Sequence, residues 1–184
     1  MDNGASSYRR FLDGDEDGIT EIISKYKYGL TLFLNSYLNN INEAEDAMED
    51  TFFILITKKP RFNGKSSFKS WLYSIGRNAA VDRIRRLSKT GGVPVEELEE
   101  VLTEEKTVEE AYIKQEQKIV LHNAIKKLND EYRRVLYLVY FEEFDNNEAA
   151  AAMSKSKRQI ENLLYHAKAA LKSELIKEGF EYEN

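Results

Sequence analysis

The sequence predicts an all-α protein built as two small helical domains joined by an acidic linker, and three observations carry that prediction. Apolar residues recur at helical spacing over long stretches on both sides of the chain's centre. Only two prolines interrupt the 184 residues. The clearest break is SKTGGVP, residues 88–94, where Gly91, Gly92 and Pro94 stop a helix ahead of a glutamate-rich run with few large apolar residues.

A real core is within reach. Hydrophobic residues make up 42 % of the chain, with nine Phe and eleven Tyr, which argues against wholesale disorder. The absence of cysteine removes disulfides, thiolate metal sites and cysteine nucleophiles together, and fits a reducing compartment. The first residues, MDNGASSYRRFLDGDEDG, lack the apolar run of a secretory signal. No apolar stretch of about eighteen residues occurs anywhere. The expectation is a soluble cytoplasmic protein with no direct membrane insertion.

Taken in order, residues 1–18 read as a polar N-terminal tail. Ile19, Ile22, Ile23, Tyr26, Leu30, Phe33, Leu34, Tyr37, Leu38 and Ile41 then follow a helical period. In NEAEDAMEDTFFILITKK, Asn42 with Glu45 three residues on has the form of a capping box, and Met48, Phe52 and Leu55 form the apolar stripe. Pro60 ends that helix. RFNGKSS makes a short basic loop, with Ser66 and Ser67 as caps for a helix from Phe68 to about Leu87 whose core face holds Phe68, Leu72, Ile75 and Ala79. These pieces make a first domain, 19–87. Residues 88–111 form the acidic linker. The second domain, 112–177, contains helices over about 112–128, 130–143, 146–153 and 157–177, with Asp145 and Glu148 as a cap and its partner. Residues 178–184 form a polar C-terminal tail.

The net charge of −5 would argue against nucleic acid if it were evenly spread, but it is not. Between Asp13 and Asp50, ten acids face two lysines. Between Arg61 and Lys89, eight basic residues face Asp82 alone, and between Glu96 and Glu110 eight glutamates face Lys106. Between Met153 and Lys172, five basic residues face Glu161. The total conceals four blocks of alternating sign.

Three stretches could carry chemistry. In residues 145–172 a short small-residue helix, a polar turn and a longer helix have the form of a helix-turn-helix. Lys155, Lys157, Arg158, Gln159 and Asn162 stand where such a motif meets base edges and phosphates, although a plain helical hairpin with a solvated basic end fits too. In SFKSWLYSIGRNAAVDRIRR, residues 67–86, aromatics beside cations suit single-stranded nucleic acid, because bases stack on rings and arginines meet phosphates. Trp71 and Tyr73 closing the core fit equally well. In EAEDAMED, Glu45, Asp46, Glu49 and Asp50 could hold Mg²⁺ for nucleotide hydrolysis, dock a basic partner, or simply solvate a helix. His122 and His166 are too isolated to form a metal site or a triad.

Read together, these segments resemble the extracytoplasmic-function group of bacterial RNA polymerase sigma factors. EAEDAMEDTFFIL and RFNGKSSFKSWLYSIGRNAAVDRIRR resemble region 2 of that family, with matching spacing through Phe62, Gly64, Ser67, Phe68, Trp71, Leu72, Asn78, Asp82, Arg85 and Arg86. LNDEYRRVLYLVYFEEFDNNEAAAAMSKSKRQIENLLYHAKAALK resembles region 4, the helix-turn-helix domain. The resemblance implies that Glu45, Asp46, Glu49 and Asp50 dock on the clamp helices of polymerase β′, and that region 4 meets the β flap. It implies that Arg61, Phe62, Asn63, Gly64, Lys65, Ser66 and Ser67 capture a base flipped from the promoter −10 element. Trp71, Tyr73, Arg77, Asn78, Arg83, Arg85 and Arg86 would hold the separated strand and its duplex edge. Lys155, Ser156, Lys157, Arg158, Gln159, Asn162 and His166 would read the −35 element. The acidic linker would run toward the RNA-exit channel.

By this resemblance the chain is a non-catalytic initiation subunit that binds core polymerase and promoter DNA and helps melt the duplex. It has no cofactor, no metal and no small-molecule substrate. An anti-sigma factor is its implied restraint, which could hold it at a membrane. Two departures stand out. Ala149 to Ala152 replace a larger aliphatic, and Lys155 precedes the turn Ser156, so looser docking of those two helices is expected. A polymerase-independent helix-turn-helix regulator and a Mg²⁺-dependent nucleotide hydrolase are the alternatives.

Overall fold

A computed structural model describes residues 4–90, 120–121 and 123–179, and every regular element among them is helical. Four helices form the N-terminal unit: α1 (Ala5–Leu12), α2 (Asp17–Leu38), α3 (Ile41–Lys58) and α4 (Phe68–Thr90). In the C-terminal unit, residues 120–121 and 123–126 are helical. There follow α5 (Asp130–Leu136), which runs on as a π-helical turn over Tyr137–Phe141, then α6 (Asn146–Met153) and α7 (Lys157–Lys177). Among the described residues no helix is long and apolar enough to cross a membrane.

Local chemistry sets most boundaries. The α3 cap is Asn40, whose side chain accepts from the Glu43 amide at 3.1 Å, so the cap lies two residues before Asn42. α3 stops at Lys58, and Lys59 turns left-handed at φ 43° ahead of Pro60, which disfavours a helical residue before it. Ser67 Oγ accepts from the Ser70 amide at 3.2 Å and starts α4. α6 and α7 each open on a complete capping box, Asp145 with Glu148 and Ser156 with Gln159.

The N-terminus departs from the expected polar tail. Residues 5–12 are α1, packed against α2, with Tyr8 and Phe11 buried. Tyr8 also donates to the Pro60 carbonyl at 2.8 Å, which ties α1 to the loop after α3. Of the expected linker, residues 88–90 are the last turn of α4; the remainder lies outside the described residues, as do most of the predicted 112–128 helix, His122 and residues 180–184.

The all-helical, two-unit architecture is as expected, and the two units share one continuous core. α4 packs on α2 and α3 and, from the other side, on α6, while α5 also meets α2. Burial on two sides explains the correction to the α4 core face. Tyr73 and Ala80 are fully buried beside Phe68 and Leu72, whereas Ile75 and Ala79 are only partly covered. The alanine run finds its purpose here. Ala149, Ala150 and Ala152 are buried with Met153, and their small side chains let α6 fit closely against both α4 and α7. The expected loose docking is therefore not observed.

Candidate nucleic-acid interface

The loop between α3 and α4 is anchored at both ends and displays its middle. The Phe62 ring packs on Phe68 and Trp71, with centroids 5.5 and 5.2 Å away. Ser67 is committed to capping α4, and Ser66 is half-buried. Between these anchors Asn63, Gly64 and Lys65 are exposed, as is Arg61 just before them. Asn63 Oδ1 accepts from the Lys65 amide at 3.0 Å, closing a turn in which Gly64 takes φ +71°, a conformation that favours glycine. Phe62 and Ser67 thus support the loop, and the polar tip is what it offers.

Trp71 joins an aromatic cluster, 5.4 Å from both Tyr8 and Phe68, while remaining half-buried. Tyr73 is different. It is 0 % exposed, sits between Phe33 and Phe144 at 5.2 Å each, and donates to Glu142 at 2.7 Å. Burial and the neighbouring Glu142 carboxylate push its phenol well above the ordinary range. In this arrangement Tyr73 belongs to the core and reaches no ligand.

The arginines of α4 also divide. Arg83 turns onto α3, where Glu43 and Asp46 accept from its guanidinium and Asp50 lies 3.7 Å away. Burial works against its charge, but the hydrogen bond and charge of Glu43, with Asp46 and Asp50, outweigh it and raise its pKa. Arg77 is half-buried, with Nη1 3.3 Å from Asn78 Oδ1. Asn78, Arg85 and Arg86 are exposed; Arg85 pairs with Asp82 at 3.1 Å, and Arg86 lies 3.9 Å from Asp50. Of the predicted α4 residues, Asn78, Arg85 and Arg86 are exposed and Trp71 half-buried.

The same contact splits the acidic face of α3. Asp46 and Asp50 face Arg83, so part of the acidic block is matched within the chain. Glu43, Asp46 and Asp50 converge on a guanidinium and not around a space of their own, which undercuts the Mg²⁺ reading. Glu45 and Glu49 lie on the outer strip, which continues along the helix through the exposed apolar residues Phe53 and Ile56. Neither Phe53 nor Ile56 was expected in a site. The signal for them was an apolar strip on α3 wider than the stripe of Met48, Phe52 and Leu55 needs.

At the start of α7, Ser156 and Gln159 are occupied by the capping box, Gln159 Oε1 accepting from the Ser156 amide at 2.7 Å. Lys155 pairs with Glu131 at 2.6 Å. Arg158, Asn162 and His166 form one exposed strip at four-residue spacing, with Lys157 exposed beside it. Tyr165, 73 % exposed and 5.3 Å from the His166 ring, adds an aromatic that the sequence reading passed over.

Comparison with known proteins bears on the fold and the family. Residues 22–90 match the family model for Sigma-70 region 2, and residues 118–171 match that for Sigma-70, region 4. The chain is 25 % identical over 172 residues to the ECF RNA polymerase sigma factor SigW of Bacillus subtilis, covering 88 % of this chain and 91 % of that protein. It is 28 % identical over 155 residues to ECF RNA polymerase sigma factor SigM of the same organism, covering 84 % and 93 %. Among solved structures, the fold is similar to the sigma factor RpoE in complex with the anti-sigma factor NepR from Bartonella quintana. That match has a TM-score of 0.66 and 22 % identity and covers 86 % of this chain and 96 % of that one. It is also similar to CnrH in complex with the cytosolic domain of CnrY, with a TM-score of 0.61 and 19 % identity over 95 % of each chain.

Proposed function

The chain belongs to the extracytoplasmic-function group of the sigma-70 family, and from that premise we propose that it directs core RNA polymerase to specific promoters and helps open them. The observation that carries the reading is the loop of residues 61–67: held by Phe62 and Ser67, it presents the polar side chains of Arg61, Asn63 and Lys65 beside the half-buried Trp71. A fixed loop with a solvated polar tip beside a ring suits an unstacked base, since its binding energy is not spent on ordering the loop.

Each surface then has a task. Glu45 and Glu49 meet basic groups on the polymerase clamp helices while Phe53 and Ile56 supply buried area between them. Arg61, Asn63 and Lys65 take the flipped base and its phosphates, and Arg85 and Arg86 follow the strand toward the duplex. Arg158, Asn162 and His166, with Lys157 and Tyr165 alongside, face the −35 element in the major groove. The acidic stretch after α4 supplies negative charge along a path meant for RNA. The chain carries out no reaction of its own and works where polymerase works, in the cytoplasm. Because a similar fold is known bound to an anti-sigma factor, an anti-sigma factor is proposed as its restraint.

The test is promoter opening by reconstituted holoenzyme, read by fluorescence of a base analogue at the −10 element. Replacing Arg61 and Lys65 together by glutamine is expected to slow opening about tenfold or more while leaving helicity and melting temperature unchanged. Unchanged opening by the double variant would remove the loop from the account.

A further inference from the structure

The seam between the two units is organised around one carboxylate. Glu142 follows the π-turn of region 4, yet its side chain is only 14 % exposed because it lies between α2 and α4 of region 2. Its Oε2 accepts from the Tyr73 hydroxyl at 2.7 Å and pairs with Lys69 Nζ at 2.8 Å. Its Oε1 accepts from the Tyr137 hydroxyl at 2.9 Å, and its backbone carbonyl accepts from Lys69 at 2.6 Å. A charge is tolerated at such a site only when it is fully partnered, and here it is. The partners come from both units: Lys69 and Tyr73 from α4, Tyr137 from region 4 itself.

Gly29 on α2 forms the floor of this pocket. A Cβ built there would collide with Glu142 Oε1 and stand 2.7 Å from the Tyr73 hydroxyl oxygen. Apolar and polar contacts continue along the same seam. Phe144 packs on Tyr73, Lys69 Nζ lies 4.8 Å over the Phe144 ring, and Arg134 donates to the Ser36 carbonyl at 3.1 Å while stacking 3.7 Å over Tyr37.

We propose that Glu142 is an intramolecular latch: it holds region 4 against α4 and withholds the Lys69–Tyr73 side of that helix from nucleic acid until region 4 swings away. The chain thereby restrains itself, in addition to any protein that restrains it. Its consequence for DNA rests on the promoter reading above; the latch itself does not. Opening exposes Tyr73, so the tyrosine is a core residue in the closed form and an available ring in the open one. Breaking the latch multiplies the open fraction, and where closed molecules predominate the apparent affinity for a ligand of the open form rises by the same factor.

Dyes on α3 and α7 of the full-length chain report the separation of the two units without DNA or polymerase. Gly29→Ala, Lys69→Met and Glu142→Gln are each expected to raise the open fraction about tenfold. Lys69→Met is expected to add less on top of Glu142→Ala than it does alone, because the carboxylate is gone and only the backbone carbonyl of residue 142 and the Phe144 ring remain as its partners. Affinity for a forked probe with an unpaired −10 strand should rise in parallel. Circular dichroism screens for folding, and Glu142→Gln, nearly isosteric, carries the test if Gly29→Ala does not fold. Unchanged separation in Lys69→Met and Glu142→Gln, or a parent chain that is already open, would overturn the latch. Opening without any gain in strand binding would leave the contact standing and overturn its withholding of α4 from nucleic acid. If separation and strand affinity both rise yet holoenzyme initiates no transcription, the latch stands and the promoter reading fails.

Discussion

Arg83 offers a sharp division between a structural and a DNA-binding arginine. Its side chain is 20 % exposed and that of Glu43 26 %, so this pair is partly desolvated, whereas Asp46 and Asp50 are about half exposed and contribute little through solvent. A partly buried, charge-assisted hydrogen bond stabilises by about 1.5–3 kcal/mol, and removing one partner leaves the other charge unmatched. Arg83→Met, which retains the apolar stem, should therefore cost about 2 kcal/mol, a fall in melting temperature of about 4–8 °C for a chain of this size. The companion assay is a salt titration of holoenzyme affinity for promoter DNA. Each phosphate contact contributes about 0.7–0.9 to the slope of log affinity against log salt. Arg83→Met should leave that slope unchanged, while Arg85→Ala should reduce it by about one contact and leave the melting temperature alone. A reduced slope with an unchanged melting temperature for Arg83→Met would refute the assignment of Arg83 to the α3–α4 contact.

Other surfaces give separate expectations. Phe53→Ala removes a 63 % exposed ring, so stability should hold while affinity for core polymerase falls about tenfold, measured by competition with a labelled sigma factor. Glu143 sits at φ 56°, where a side chain is strained, so Glu143→Gly should stabilise the chain by about 1 kcal/mol in urea unfolding. Burial pushes the Tyr8 phenol up to about 12 from 10.0, which makes the neutral form the one favoured by folding. That stability is whole below pH 10 and is lost as pH rises toward 12; Tyr8→Phe should flatten this part of an alkaline unfolding curve. Trp71→Ala should slow promoter opening more than it weakens duplex binding. Equal loss in both would assign Trp71 to the core alone.

The features legible in the sequence were those decided locally. The Asp145 box needs only Glu148 three residues away, and Pro60 ends α3 by its own sterics, so both could be read directly. Asn40 and Asn42 are both plausible caps by residue type, and only the backbone shows Asn40 in the extended conformation that a cap requires. The helix Ala5–Leu12 offers just Tyr8 and Phe11 as anchors among polar and glycine neighbours, too weak a period to separate from a tail. The roles of Arg83 and Tyr73 were hidden for a different reason. Composition places both in a basic-aromatic helix, but their partners, Glu43 and Glu142, are supplied by other elements 40 and 69 residues away. The alanine run was misjudged because small residues look like weak packing until a second helix is known to approach them.

The central claim is tested most directly by transcription in vitro from total genomic DNA of the source bacterium, with core polymerase and this chain, and mapping of every 5′ end. The account predicts a set of start sites absent with core alone, sharing two upstream sequence elements at fixed spacing. Transcripts indistinguishable from those of core polymerase alone would contradict it.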